Sequence, residues 1–310
     1  MKGTRIVVGV DGSAASLEAL RWAVALGDAL GAEVVAVHAL GLLDRWHDPD
    51  TSARSWRKTL HGLVAHTWCR PLVRASGAHR VEVHDGHPVD VLLAAAERER
   101  AALLVVGSRG VGANPALALG STSLRILQAA RVPVLVVPER RAGTPTGGLR
   151  PRHLVVGVDG SKASLGALDL AADVTELLGG SLSVLHVFEY VSPFPLQPPG
   201  ADEHHREEQA LELLEASARS IRRRGVGVQT IVRSGDPART LLEVANDVDA
   251  DLVVMGTRGR GGPGELLLGS VARAVADRAR RPTLVVPAAA GRIHLGPTEG
   301  HDEHAASAVS

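Results

Sequence analysis

Glycine, serine and aspartate carry the chemistry that this sequence offers, and they recur at one spacing in two places. Gly107-Ser108-Arg109-Gly110 is followed nine residues on by Gly120-Ser121-Thr122, and Gly256-Thr257-Arg258-Gly259 is followed at the same interval by Gly269-Ser270-Val271. The first two glycines of each set leave a Val-rich run of strand length, where a missing side chain lets backbone N–H groups approach an anion. The third opens a helix, whose unpaired N–H groups and positive dipole end attract phosphate. Loop and helix start together would cradle a phosphate; the plainer alternative is that the glycines only make turns and that Ser121 and Ser270 only cap helices. Asp11-Gly12-Ser13 and Asp159-Gly160-Ser161 stand at the end of an earlier Val-rich run in each set. A carboxylate there can bond a ribose hydroxyl or, with phosphates present, help hold Mg²⁺. Asp-Gly-Ser before an apolar-periodic helix is also an ordinary cap.

The chain lacks the lysine-bearing loop G-x4-G-K-[ST], and its lysines, Lys2, Lys58 and Lys162, all lie outside the cradles. Arg109 and Arg258 are the nearest cations. No general base or nucleophile pairs with either cradle, so binding is better supported than phosphoryl transfer.

The elements that hold these residues are written twice. VVGVDGS occurs at Val7–Ser13 and again at Val155–Ser161, LLVVGSRGVG (Leu103–Gly112) matches LVVMGTRGRG (Leu252–Gly261), and VPVLVVP (Val132–Pro138) matches RPTLVVP (Arg281–Pro287). Matches at beginning, middle and end mean duplication of a whole domain. The expected division is a first domain over 1–138, a linker over 139–152 rich in Gly, Pro, Thr and Arg, a second domain over 153–287 and a disordered tail over 288–310. Within each half, five strand-length apolar runs alternate with helical periodicity; Leu17, Leu20 and Val24, like Leu165, Leu168 and Ala172, recur at helical spacing. Buried strands separated by helical crossovers predict a parallel sheet covered on both faces, with its ligand crevice beyond the carboxyl ends of the strands.

Composition removes several function classes. The 34 basic residues balance the 34 acidic ones and aromatic residues are 2% of the chain, which argues against nucleic-acid binding through phosphates or stacked bases. No apolar run approaches the ~20 residues that cross a bilayer. Cys69 is the one cysteine and the opening MKGTRIVVGVDGS has no signal-peptide layout, so the expected compartment is the cytoplasm. Trp46, Trp56, Trp68 and Cys69 lie between the second and third strands, and read either as packing residues or as a partner-binding helix.

The motifs VVGVDGS, His38-Ala39 and His186-Val187 at the second strands, Gly86-His87-Pro88 and Gly235-Asp236-Pro237 after the third, and G-x2-G-x9-G-S after the fourth resemble the universal stress protein family, whose ATP-binding signature the last of these is. The resemblance covers residues 4–138 and 152–287 and has the look of a tandem-domain member. It implies an α/β chain of two flavodoxin-like (Rossmann-like) domains, each a five-stranded parallel sheet with helices on both faces, ATP in the crevice, and a regulatory role in stress, dormancy or low oxygen. Carried over, it sets Gly9 and Asp11 beside ribose and adenine, the backbone of Ala39 at the adenine edge, and Gly107, Ser108, Arg109, Gly110, Val111, Gly112 and Ala113 with Ser121 and Thr122 around the phosphates. In the second half the matching residues are Gly157, Asp159, Val187, Gly256, Thr257, Arg258, Gly259, Arg260, Gly261, Gly262, Ser270 and Val271. Asn114 and Pro115 interrupt the first loop where the second has Pro263-Gly264, so the two loops need not close alike. His38 and His186 read as packed strand residues. Besides a regulatory module that responds to the nucleotide through an unidentified protein partner, the sequence leaves open a slow ATP hydrolase or nucleotidyl-transfer enzyme and a nucleotide-free interaction scaffold.

Val132–Pro138 and Arg281–Pro287 each close a half and are expected at a sheet edge, with prolines limiting how far pairing can run. The tethered other half is the nearest partner, which predicts an internal pseudo-two-fold dimer, with further homodimerisation through the Trp-bearing helices as an option. Charge at Leu135 and Leu284 is expected to loosen the halves without unfolding either.

Overall fold

The computed structural model describes residues 3–41, 53–112, 119–140, 149–188, 201–259 and 268–290. The sequence expected as a disordered tail lies outside these from residue 291 on, as do Trp46 and most of the linker.

The first half runs β1 (Arg5–Gly9), α1 (Ala14–Leu30), β2 (Glu33–Leu40), α2 (Ala53–Leu63), β3 (His79–Asp85), α3 (Pro88–Arg98), β4 (Leu103–Gly107), α4 (Ser121–Ala129) and β5 (Val134–Val137). The second repeats it as β6 (His153–Gly157), α5 (Lys162–Leu178), β7 (Ser181–Phe188), α6 (Ala201–Arg222), β8 (Gly227–Ser234), α7 (Pro237–Asp247), β9 (Leu252–Gly256), α8 (Ser270–Arg278) and β10 (Thr283–Val286). Local chemistry sets the helix starts. Ser13 and Ser161 cap α1 and α5 by accepting from Ser16 N and Ser164 N. His87 and Asp236 cap α3 and α7, each followed by a proline whose fixed φ suits the first helical position.

Each half keeps the strand order 3-2-1-4-5 with parallel neighbours, but the halves do not form separate sheets. They join in one ten-stranded sheet of order β3-β2-β1-β4-β5-β10-β9-β6-β7-β8. The junction is antiparallel: Leu284 faces Leu135, Thr283 faces Val136 and Val285 faces Val134. Pro133 and Pro138 on one strand, and Pro282 and Pro287 on the other, bracket these pairs, and prolines donate nothing to a ladder.

Strand alternation then builds two cores that run across the junction. Ile6, Val8, Leu135, Leu284 and Val156 face α1, α2, α5 and α6, while Val7, Val136, Val285 and Val155 face α3, α4, α7 and α8. Leu135 is 1% and Leu284 4% exposed, so these are core side chains as well as junction residues, and a charge there would be buried. The expectation that such a charge loosens the halves without unfolding either is therefore corrected.

At the strand starts, away from the glycine-rich loops, the first half carries an ion network. Arg5 reaches Glu33 at 2.9 Å and Glu99 at 3.5 Å, and Arg80 reaches Glu99 at 2.6 Å, Glu82 at 3.0 Å and also Glu33. Partial burial alone would raise the Glu33 and Glu82 carboxyls, but hydrogen bonds from Arg5 and Arg80 to the first, and from His84 and Arg80 to the second, hold both below the usual range. The Arg80 hydrogen bond does the same for Glu99.

Two outcomes follow from this architecture. Leu135→Ala opens a cavity in a core shared by both halves and is expected to cost about 2–5 kcal/mol, with the chain still unfolding in one transition. Calorimetry showing an unshifted second-half transition would contradict the shared core. A carboxyl with a lowered folded-state pKa contributes stability that is complete above its ordinary value of 4.5 and is lost as pH falls through the folded value. The stability gap between the wild type and Arg80→Met should therefore be widest near about pH 6 and narrow toward about pH 3. Urea unfolding across that range checks it, and a gap independent of pH would overturn it.

Candidate functional site

The chain leaves β1 toward β2 on one side and later enters β4 on the other, so the loops after β1 and β4 face each other at the point where strand order reverses. Their approach is set by β4's last residue. A Cβ on Gly107 would stand 2.8 Å from both Ala15 C and Ser16 N of α1's first turn, and one on Gly256 would stand 2.7 Å from Ala163 C and 2.8 Å from Ser164 N. The missing side chain thus admits a helix backbone, and not an anion as the sequence suggested.

Asp11 and Ser13 tie the two loops together in the first half, and Ser161 does so in the second. Asp11 Oδ1 accepts from Ser13 N at 3.0 Å and Oδ2 from Val111 N at 3.1 Å. Ser13 Oγ, besides capping α1, donates to Arg109 O at 3.2 Å. The second half repeats this with Ser161 N on Asp159 Oδ1 at 2.9 Å and Ser161 Oγ on Arg258 O at 3.0 Å. A Cβ on Gly110 would lie 2.4 Å from Asp11 Oδ2, and one on Gly259 2.4 Å from Asp159 Oδ2, so the second glycine of each motif makes room for the carboxylate. The serine cross-links were invisible in the motif because Ser13 and Arg109 lie 96 residues apart.

Helices α4 and α8 begin on the same loops. Gly120 N donates to Ser108 O at 2.7 Å and Gly269 N to Thr257 O at 2.8 Å. The N-cap residues are Gly120 and Gly269 themselves, which supply no side-chain cap, and Ser121 and Ser270 are the first helical residues. The alternative in which these serines cap their helices is thereby removed. Ser121 and Ser270 are exposed, and Thr122 and Val271 half-buried, at an amide-bearing end with positive dipole character. In the first half Ser123 Oγ fastens the turn to Gly107 O at 2.7 Å.

The remaining residues fall around this centre. Gly9 ends β1 against Leu92 of α3, with a Cβ there 2.9 Å from Leu92 Cδ1, and Gly157 stands likewise against Leu241 at 3.3 Å. Ala39 is buried in β2 and Val187 half-buried in β7, near the carboxyl ends of their strands. Ser108 and Thr257 are buried, Val111 is exposed, and a Cβ on Gly112 would meet nothing within 4 Å. Ala113, Arg260, Gly261 and Gly262, with the interrupting Asn114, Pro115, Pro263 and Gly264, lie outside the described residues.

His38 is a packed strand residue whose Nδ1 lies 2.7 Å from Val10 O, as His186 Nδ1 does from Val158 O. Trp68 meets His38 edge-on at 5.1 Å and covers Gly12. It packs against the core. Burial pushes the Cys69 thiol up to about 12, which leaves it inert as a nucleophile. Among the described residues no cluster of His, Cys, Asp and Glu could hold a metal ion by itself, and no helix is long and apolar enough to cross a membrane.

Known proteins bear on this arrangement. The model of the universal stress protein family matches residues 3–138 and again 151–287. A universal stress protein of Mycolicibacterium smegmatis is 32% identical over 293 residues, covering 91% of this chain and 96% of its own. A crystal structure of a universal stress protein from Archaeoglobus fulgidus shares the fold with a TM-score of 0.66 at 22% identity over 91% of this chain and 96% of that one. A universal stress protein solved in complex with cAMP covers 44% of this chain and 97% of its own at 28% identity, and its TM-score of 0.37 is too low to carry the ligand across. The chain belongs to the universal stress protein family and carries that family's domain twice.

Proposed function

We propose that this chain is a nucleotide-binding regulatory module of the stress or dormancy response, holding one ATP in each half, over 1–138 and 153–287, and passing occupancy to a protein partner. The observation that carries the reading is the pair of glycine-capped helix starts, at Gly120 and Gly269, each set against a loop that a serine, Ser13 or Ser161, ties to the turn after the first strand of its half. A helix start without a side-chain cap turns its first amides toward an anion, and the loop backbone beside it supplies more N–H groups. Phosphate fits that donor set.

The adenosine portion is assigned to the side of Gly9, Asp11 and Ala39, and in the second half to Gly157, Asp159 and Val187. Mg²⁺ fits less directly. Both oxygens of Asp11 already accept from backbone amides, so a divalent ion would sit mainly on phosphate oxygens and water. That same engagement favours binding over turnover, because a carboxylate committed to two amides is poorly placed to orient a water.

The test uses proline at the first helical position, where its φ is tolerated and its missing N–H removes one donor. Gly120, at φ −74° and ψ 156°, and Gly269, at −64° and 154°, already have the extended backbone that a following proline requires. In the wild type, ATP with Mg²⁺ at a hundredfold excess over Kd should stabilise the fold by about 2.7 kcal/mol for each occupied site, and GTP by less. Ser121→Pro and Ser270→Pro should each leave the unliganded melting temperature nearly unchanged and weaken ATP at one site by about tenfold to a hundredfold, the range for a hydrogen bond to a charged group. Undiminished ATP affinity in both variants would remove the cradle from the reading, and equal stabilisation by GTP would remove its preference for adenine.

A further inference from the structure

Trp68 stands beside the end of the first crevice assigned to the nucleoside, and the chain departs from ordinary helix geometry to put it there. Leu60 of α2 and Val64 just beyond it are core residues four apart, as helical spacing requires. The next core residue is Cys69, five on, because the chain closes a π-turn over Val64–Trp68 in which Cys69 N donates to Val64 O at 2.9 Å. At ordinary spacing Trp68 would hold the core position. The wider turn gives that position to Cys69 and moves the indole to the flank, half-buried, over the Asp11-Gly12-Ser13 turn. Such single wide turns recur at functional sites, where they re-aim a side chain.

The ring lies close on its neighbours. A Cβ on Gly12 would stand 2.5 Å from Trp68 Cε2, 2.8 Å from Nε1 and 2.9 Å from Cζ2, and Gly12 has a φ of +82°, so glycine admits both the turn and the ring. The indole also meets His38, the residue before Ala39, edge-on at 5.1 Å. Asp11-Gly12 and His38-Ala39 therefore bracket it. Trp68 Nε1 has no hydrogen-bond acceptor among the described residues, although a packed indole N–H ordinarily finds one. Both oxygens of Asp11 already accept from amides, so the indole adds a donor and an apolar surface where the nucleoside is assigned. Resting on the reading of the first crevice as a nucleotide site, we infer that Trp68 is a specificity-determining residue of that site. Its ring packs against the nucleoside, so affinity for base and ribose depends on it and affinity for phosphate does not. Part of the ring is committed to the core, which sets the effect of its loss at the lower end for an aromatic contact with a base, about fivefold to thirtyfold.

The experiment is calorimetric titration of the intact chain with ATP, adenosine and inorganic tripolyphosphate, comparing wild type, Trp68→Leu and Trp68→Phe. Trp68→Leu should weaken ATP and adenosine at one of the two sites by about fivefold to thirtyfold and leave tripolyphosphate within about twofold, while Trp68→Phe, which keeps a ring, recovers part of the loss. Adenosine should also change the tryptophan emission of the wild type, tripolyphosphate should not, and Trp68→Phe should lose most of that change. If Trp68→Leu does not fold, the emission of Trp68→Phe decides alone. Unaltered affinity for ATP and adenosine in Trp68→Leu overturns the inference and leaves nucleotide binding intact. Tighter binding overturns it as well, since the ring would then be a plug in the crevice. An equal loss for tripolyphosphate does the same, because Trp68 would then only hold the turn in shape. If the wild type binds neither ATP nor adenosine, the proposed function falls and this inference falls with it.

Discussion

The close approach of β4's terminal glycine to the first turn of the helix after β1 is the constraint on which the candidate site depends. Any side chain at Gly107 or Gly256 would press on helix backbone, which cannot yield as a side chain tip can. With the helix seated there, the Asp-Gly-Ser turn reaches the loop after β4, the aspartate takes amides from both loops, and the serine returns a hydrogen bond to the arginine carbonyl. The glycine-capped helix then starts on the same loop. An ordinary packing requirement therefore places the amides on which the proposed ligand chemistry is built.

Much of this was legible in the sequence because buried parallel strands and their turns leave strong local marks. The Val-rich runs and the Asp-Gly-Ser turns sit where the structure has them, and the exact recurrence of VVGVDGS exposes the duplication. Legibility ended where the cause is non-local. Gly107 read as room for an anion because nothing within its own segment says that Ala15 and Ser16 lie against it. The double use of Ser13, as cap and as cross-link, and the ion pair from Arg109 to Glu139 likewise join distant parts of the chain. Trp68 gave no sign that its ring would rest on Gly12 and His38, because those contacts too join parts of the chain far apart in sequence.

The junction between the halves has a physical consequence beyond shape. Strands that would be exposed edges in an isolated half become the middle of one sheet, and the four-residue β5 and β10 lie at the centre of two continuous cores. Proline on both sides keeps that pairing short, which fixes its register without leaving a long sticky edge. Because the cradle loops follow β4 and β9, the strands flanking this junction, they are attached to the most deeply packed part of the molecule. Preorganisation of that kind lowers the cost of binding, since the donors need not be ordered by the ligand.

The central claim is that each half offers one phosphate cradle to one nucleotide. Native mass spectrometry of the intact chain, equilibrated with ATP and Mg²⁺ and read at saturating nucleotide, tests it most directly. The account predicts a mass increase of two nucleotides per chain, reached through a singly occupied species. A chain that stays at its own mass, or that saturates with a single nucleotide, would contradict it.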